Sequence, residues 1–192
     1  VGRGKPKERG KGMIACLAKI WVSNLRYRWS RIRHKNSPVT TRLREDLIPQ
    51  TFGDIQRTAR ELYKNFEYTL DDITRLYDSI DTPASCWERA FTGKLKDDCD
   101  GFHSALYWAV SQKYDCYLLT LVTKDIVNSH SLLAVEHNGK KYYVDYTYVS
   151  NGYDRIDTLI SGVAKYRKMQ NVILAEGSAF NSSWHSIFTI KV

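Results

Sequence analysis

Cys99 lies in the run Asp97-Asp98-Cys99-Asp100-Gly101, where a polar turn leads into the helical pattern Phe102-His103-Ser104-Ala105-Leu106. His130 opens an apolar strand pattern 31 residues later, and Asp145 follows after 15 more, inside Val144-Asp145-Tyr146. A thiol, an imidazole and a carboxylate are the parts of an activated sulfur nucleophile. The cysteine attacks, the histidine takes its proton and the acid orients the histidine. A helix start suits the thiol, because its N–H groups and the positive end of the dipole favour a thiolate and can hold an oxyanion. Asp98 and Asp100 oppose this, since nearby negative charge raises a thiol pKa. Their carboxylates must turn away or meet a cation.

The second and third residues must be brought together by a hairpin. Asn138-Gly139 between two alternating runs is the signature of a two-residue type I′ turn, in which both positions need positive φ. Such a turn pairs residues whose numbers sum to 277, so His137 faces Lys140, Leu133 faces Val144 and His130 faces Thr147. Alternate residues return to the same face. His130, Leu132, Ala134, Lys141, Tyr143, Asp145 and Thr147 then share one face, with Asp145 diagonal to His130 and within reach of a hydrogen bond. His137 has the opposite parity and points away.

The elements around this hairpin follow from periodicity. Residues 1–12 are Gly/Lys/Arg-rich without a period, and an amphipathic helix with Trp21 and Trp29 on its apolar side runs from residue 14 to Asn36-Ser37-Pro38. Residues 37–50 read as a linker. Thr51 is expected to cap a helix carrying Phe52, Ile55, Ala59, Leu62, Tyr63 and Phe66, and a short helix follows Asp71-Asp72. Thr82-Pro83 starts another helix, which Gly93 stops. The cysteine helix spans 99–112. The period then changes to two, giving strands over 116–123, 130–137 and 140–148, a helix over 155–169, and closing strands over 172–175 and 184–192. Helices followed by an antiparallel meander make an α+β fold. Two domains of organisation result: a basic tail and helix over 1–44, and a catalytic domain over 45–192.

Charge divides the chain in the same place. Residues 1–44 hold 13 of the 29 Lys and Arg against one acid, Glu8, a net +12; the remaining 148 residues hold 16 bases and 20 acids, a net −4. The arm suits an anionic membrane surface, nucleic acid or an acidic partner, or is simply a solvated helix face. No apolar run reaches the 18 residues of a membrane span. The stretch 13–22 is broken by Lys19 and lacks a small-x-small cleavage site, which makes it a poor signal peptide. The chain therefore reads as cytoplasmic, with secretion and membrane-surface association as the alternatives. Cys16, Cys86 and Cys116 lie on apolar patterns, whereas Cys99 alone has a polar setting. No cofactor and no metal are expected. There is no Cys/His ligand spacing, and Asp97, Asp98 and Asp100 do not form an EF-hand, whose first and last ligand positions hold Lys96 and Tyr107.

The ordered set Thr82-Pro83, Trp87-Glu88, Gly93, Asp98-Cys99-Asp100, His103-Ser104-Ala105-Leu106, His130 and Tyr142-Tyr143-Val144-Asp145-Tyr146-Thr147 resembles the transglutaminase-like superfamily. Within it the chain is most similar to the bacterial transglutaminase-like cysteine peptidases, over residues 80–150. The resemblance implies a papain-like core with Cys99 as nucleophile, His130 as general base and Asp145 as orienter. It departs from that pattern in the Lys94-Leu95-Lys96-Asp97 approach to the cysteine and in the serines flanking His130. The implied activity is a cysteine peptidase or amidase on a protein or peptide substrate. Transglutamination, glutamine deamidation, or a silent binding module docked by the basic arm are the alternatives. Tyr143 is the aromatic expected beside the site, Trp87 is expected in the core, and His103 is expected to pack or touch substrate rather than act as base.

Overall fold

The computed structural model describes Ala18 and residues 44–69, 81–124, 128–181 and 184–192. Within that span lie helices α1 (Asp54–Lys64), α2 (Pro83–Thr92), α3 (Cys99–Val110) and α4 (Ile156–Tyr166). The strands are β1 (Phe66–Tyr68), β2 (Leu95–Asp97), β3 (Cys116–Thr123), β4 (His130–His137), β5 (Lys140–Asp145), β6 (Tyr148–Val149), β7 (Val172–Phe180) and β8 (Trp184–Lys191). The protein is α+β: a six-stranded antiparallel sheet, ordered β6-β5-β4-β3-β7-β8, lies between helices, and β1 pairs with β2 in a separate parallel ribbon. The expected helices over 14–36 and after Asp71-Asp72 fall outside the described residues, apart from Ala18. No helix among the described residues is long and apolar enough to cross a membrane.

Both faces of the central strands β3 and β4 are covered, which is why those two read as apolar runs. Leu133, Val135 and Val144 on one face pack against Ile55, Ala59 and Leu62 of α1, Trp87 of α2 and Phe102 and Leu106 of α3. Leu132, Ala134 and Tyr143 on the other pack against Leu159, Ile160 and Val163 of α4. The i, i+3, i+4, i+7 spacing of buried Ile55, Thr58, Ala59 and Leu62 supplies α1 with its inward stripe. Helix α3 is buried nearly all round, from Asp100 through Tyr107 and again at Ala109 and Val110. Each large apolar side chain removed from water there contributes about 1.5–3 kcal/mol. Trp87 is core.

Local signals held at several ends and failed at others. Thr82 caps α2, its hydroxyl accepting from Ser85 N at 3.1 Å, and Gly93 closes it. Thr51 does not cap α1. Instead Asp54 accepts from the Thr51 amide at 2.8 Å and the Thr51 hydroxyl at 3.0 Å, so the carboxylate organises the turn. Phe66 leaves α1 for β1, because its backbone pairs with Leu95 of β2. Asn138 and Gly139 take φ 50° and 73°, as a type I′ turn requires, and every β4–β5 pair, from His137–Lys140 to Leu133–Val144, follows the expected register. Strand β7 runs on to Phe180, five residues past the expected stop, because β3 and β8 both pair with it.

Candidate active site

The β4–β5 ladder ends one pair short of the site. Expected strand 140–148 stops at Asp145, where Tyr146 turns into the left-handed region at φ 50°, and β6 then folds back so that Tyr148 pairs with Asp145. The expected pairing of His130 with Thr147 is therefore not formed; the Thr147 carbonyl accepts from Gln56 Nε2 of α1 at 3.1 Å. Positive φ at a bulky residue costs about 1–2 kcal/mol. Two positions beyond the last pair, Leu133–Val144, the register sets Ser131 opposite Tyr146. Their amides bond α3 in place of each other: Ser131 N–H donates to Cys99 Sγ at 3.4 Å, and Tyr146 N–H donates to His103 Nε2 at 3.0 Å. Cys99 and His103 stand four residues apart, one helical turn, so the broken ladder and the helix start fit as two matching pairs.

That fit places the thiol beside the His130–Ser131 peptide. His130 Nε2 lies 3.0 Å from Asp145 Oδ1, as the parity of the hairpin predicts. His137, of opposite parity, stacks on Phe52 with ring centroids 4.6 Å apart. Cys99 and His130 are half-buried, whereas the Asp145 side chain is 1% exposed. Burial pushes the Asp145 pKa up, but hydrogen bonds with His130 and Arg167 outweigh it and bring the group down to about 2. Of the three residues expected from sequence, His130 and Asp145 are in direct contact, and the Cys99 thiol lies 3.4 Å from the backbone amide of Ser131, next to His130.

The acids around the cysteine are turned to backbone and to a cation. Asp98 Oδ1 accepts from Asp100 N at 3.0 Å as the N-cap of α3, and Asp100 Oδ1 accepts from Gly101 N at 2.9 Å. Asp97 accepts from Asp98 N at 3.0 Å and from Arg89 Nη2 at 2.8 Å, while Arg89 also reaches Asp81 at 2.8 Å. Gly101 is dictated by this packing, since a Cβ there meets Asp97 Cγ at 2.1 Å. The amides of Asp100 and Gly101 are consequently occupied by carboxylates of the same turn. Side-chain ligand atoms of Asp97, Asp98 and Asp100 lie within 4.8 Å of one another, as do those of Asp81, Cys86 and Asp97.

Two further residues complete the site: His103, expected from sequence to pack or touch substrate, and Arg167, which the sequence did not single out. His103 is fully buried, which pushes its pKa down to about 3. Its Nε2 accepts from Tyr146, so the neutral ring carries its proton on Nδ1 and donates to the Cys99 carbonyl. It is a fastener of the helix start, in line with its expected packing role. Arg167, the residue after α4, clamps Asp145 through Nε and Nη2, and its Nη2 lies 2.9 Å from His130 Nε2. In sequence Arg167 reads only as a base at a helix C-terminus; the i+4 spacing of His103 was the one local signal for its partner. Tyr146 is the aromatic of the site, 5.1 Å from the His103 ring and beneath the Arg167 guanidinium at 5.4 Å. Tyr143 instead packs with Tyr148, Tyr153 and Tyr166. Burial pushes the thiols of Cys86 and Cys116 far up.

Comparison with protein families and with curated proteins finds no family model and no relative that matches this chain.

Proposed function

We propose that the chain is a thiol-dependent acyl-transfer enzyme, a cysteine peptidase or amidase acting on a protein or peptide, with a papain-like, transglutaminase-like core. The observation that carries this reading is the seat of the Cys99 thiol at the His130–Ser131 peptide, with the same histidine 3.0 Å from the buried Asp145. The likeness of the ordered motifs to transglutaminase-like peptidases supports it. With Nε2 turned to Asp145, Nδ1 is the ring nitrogen that takes the thiol proton. The thiolate then attacks an amide carbonyl carbon and forms a C–S bond. Collapse of the tetrahedral species breaks the C–N bond, and His130 returns its proton to the leaving amine. Water attacking the thioester completes hydrolysis, whereas an amine completes transfer.

Residues 1–44, with their net +12, dock the enzyme on an anionic surface or nucleic acid in the cytoplasm. No cofactor or metal enters the proposed chemistry.

Brief iodoacetamide treatment near neutral pH, followed by peptide mapping, tests the site. Cys99 is expected to be modified ahead of Cys16, Cys86 and Cys116, and cleavage or deamidation of a proteome-derived peptide library is expected to vanish in Cys99→Ala. Equal labelling of all four cysteines, with no peptide turned over, favours the silent binding module instead.

A further inference from the structure

Arg167 is not a bystander to the triad. Its Nη2 approaches the same imidazole nitrogen that Asp145 does: His130 Nε2 stands 3.0 Å from Asp145 Oδ1 and 2.9 Å from Arg167 Nη2, while Arg167 also clamps both oxygens of Asp145. These contacts make incompatible demands. Asp145 accepts only and requires a proton on Nε2, whereas Arg167 is always protonated, donates only, and requires a lone pair there. One guanidinium nitrogen carries two hydrogens, so Nη2 can serve Asp145 and Nε2 together when the ring proton sits on Nδ1. That tautomer cannot take a proton from Cys99 through Nδ1.

We propose that Arg167 is a positioning residue that restrains the base, drawing most of the neutral His130 into the tautomer that cannot accept the thiol proton, so that Cys99 is activated only through the minor tautomer, and neutralising the carboxylate that would support the ring's cation. This rests on the assignment of Cys99, His130 and Asp145 as nucleophile, base and orienter. Among the described residues, the charged and titratable groups facing His130 are Asp145 from β5, Tyr146 from the turn after it, Arg167 from the end of α4, and His103 and Cys99 from α3, with the His103 ring 6.0 Å away. His103 is neutral through most of the acidic range because burial lowers its pKa. Among the described residues, Arg167 is therefore the cation at this imidazole. Its side chain is about one-third exposed, and its fork is turned to the carboxylate.

The test uses the full chain labelled with 15N-histidine, with His130 assigned by its loss in His130→Ala. In the wild type, nitrogen shifts of neutral His130 are expected to show the proton on Nδ1, and in Arg167→Met on Nε2. Iodoacetamide alkylation of Cys99 across pH 5–9 is expected to be about tenfold faster near neutrality in Arg167→Met, equivalent to about one pKa unit in the thiol–imidazole equilibrium. A wild-type ring protonated on Nε2 overturns the proposal, and this result stands even if Arg167→Met does not fold. So does an alkylation profile that is unchanged or slower in the folded variant. If His130→Ala alkylates like the wild type, the triad assignment itself falls. If His130→Ala slows alkylation while Arg167→Met leaves it unchanged, only the restraint falls.

Discussion

Replacing His103 with glutamine separates the fastening of the helix start from its titration. The glutamine amide offers an N–H donor and a carbonyl acceptor at its two ends, as the neutral ring does when it bonds the Cys99 carbonyl and the Tyr146 N–H, with one further N–H besides. It does not ionise. Wild-type His103 has its pKa pushed down by burial, from 6.5 to about 3. In the unfolded chain the ring protonates as pH falls through 6.5, while in the folded protein it stays neutral. The unfolded state therefore binds more protons between those values, and stability is lost as pH falls below 6.5. By pH 4.5, two units lower, the loss is on the order of 3 kcal/mol. Asp145, Arg167 and the other carboxylates are shared by both proteins and cancel in the comparison. Urea denaturation at pH 7.5, 5.5 and 4.5 measures it: the stability gap between the two should move in favour of His103→Gln by roughly 3 kcal/mol between the extremes. Parallel stability curves would refute the idea that His103 is buried and neutral.

His130→Ala should abolish turnover and return Cys99 alkylation toward that of a free thiol, with a pKa of about 8.5, whereas His137→Ala, whose ring stacks on Phe52, should leave alkylation unchanged. A shared loss in both variants would mean that the hairpin register does not build the site. Gly101→Ala should destabilise the fold by about 1–3 kcal/mol in chemical denaturation, because its methyl meets an Asp97 carboxylate already held by Arg89 and the Asp98 amide. Gly139→Ala meets nothing within 4 Å, so its cost should be the backbone strain alone at φ 73°, about 1 kcal/mol in the same assay.

Sequence by itself determined whatever depends on neighbours along the chain. Thr82-Pro83 and Gly93 bounded α2, the run into Cys99 began α3, and Asn138-Gly139 set a register that carried His130 to Asp145. These signals act through dihedrals, caps and parity, and each is complete within a few residues. Tertiary structure decided the rest. Strand β5 ends at Asp145 because α3 supplies acceptors for Ser131 and Tyr146, a competition that neither segment shows alone. Phe66 becomes strand only because Leu95, 29 positions away, pairs with it. Arg167 comes to Asp145 across 22 positions of chain because α4 packs on the face of the sheet that carries Tyr143. A basic residue after a helix is common, and only the packing of α4 against the sheet turns this one toward a buried carboxylate.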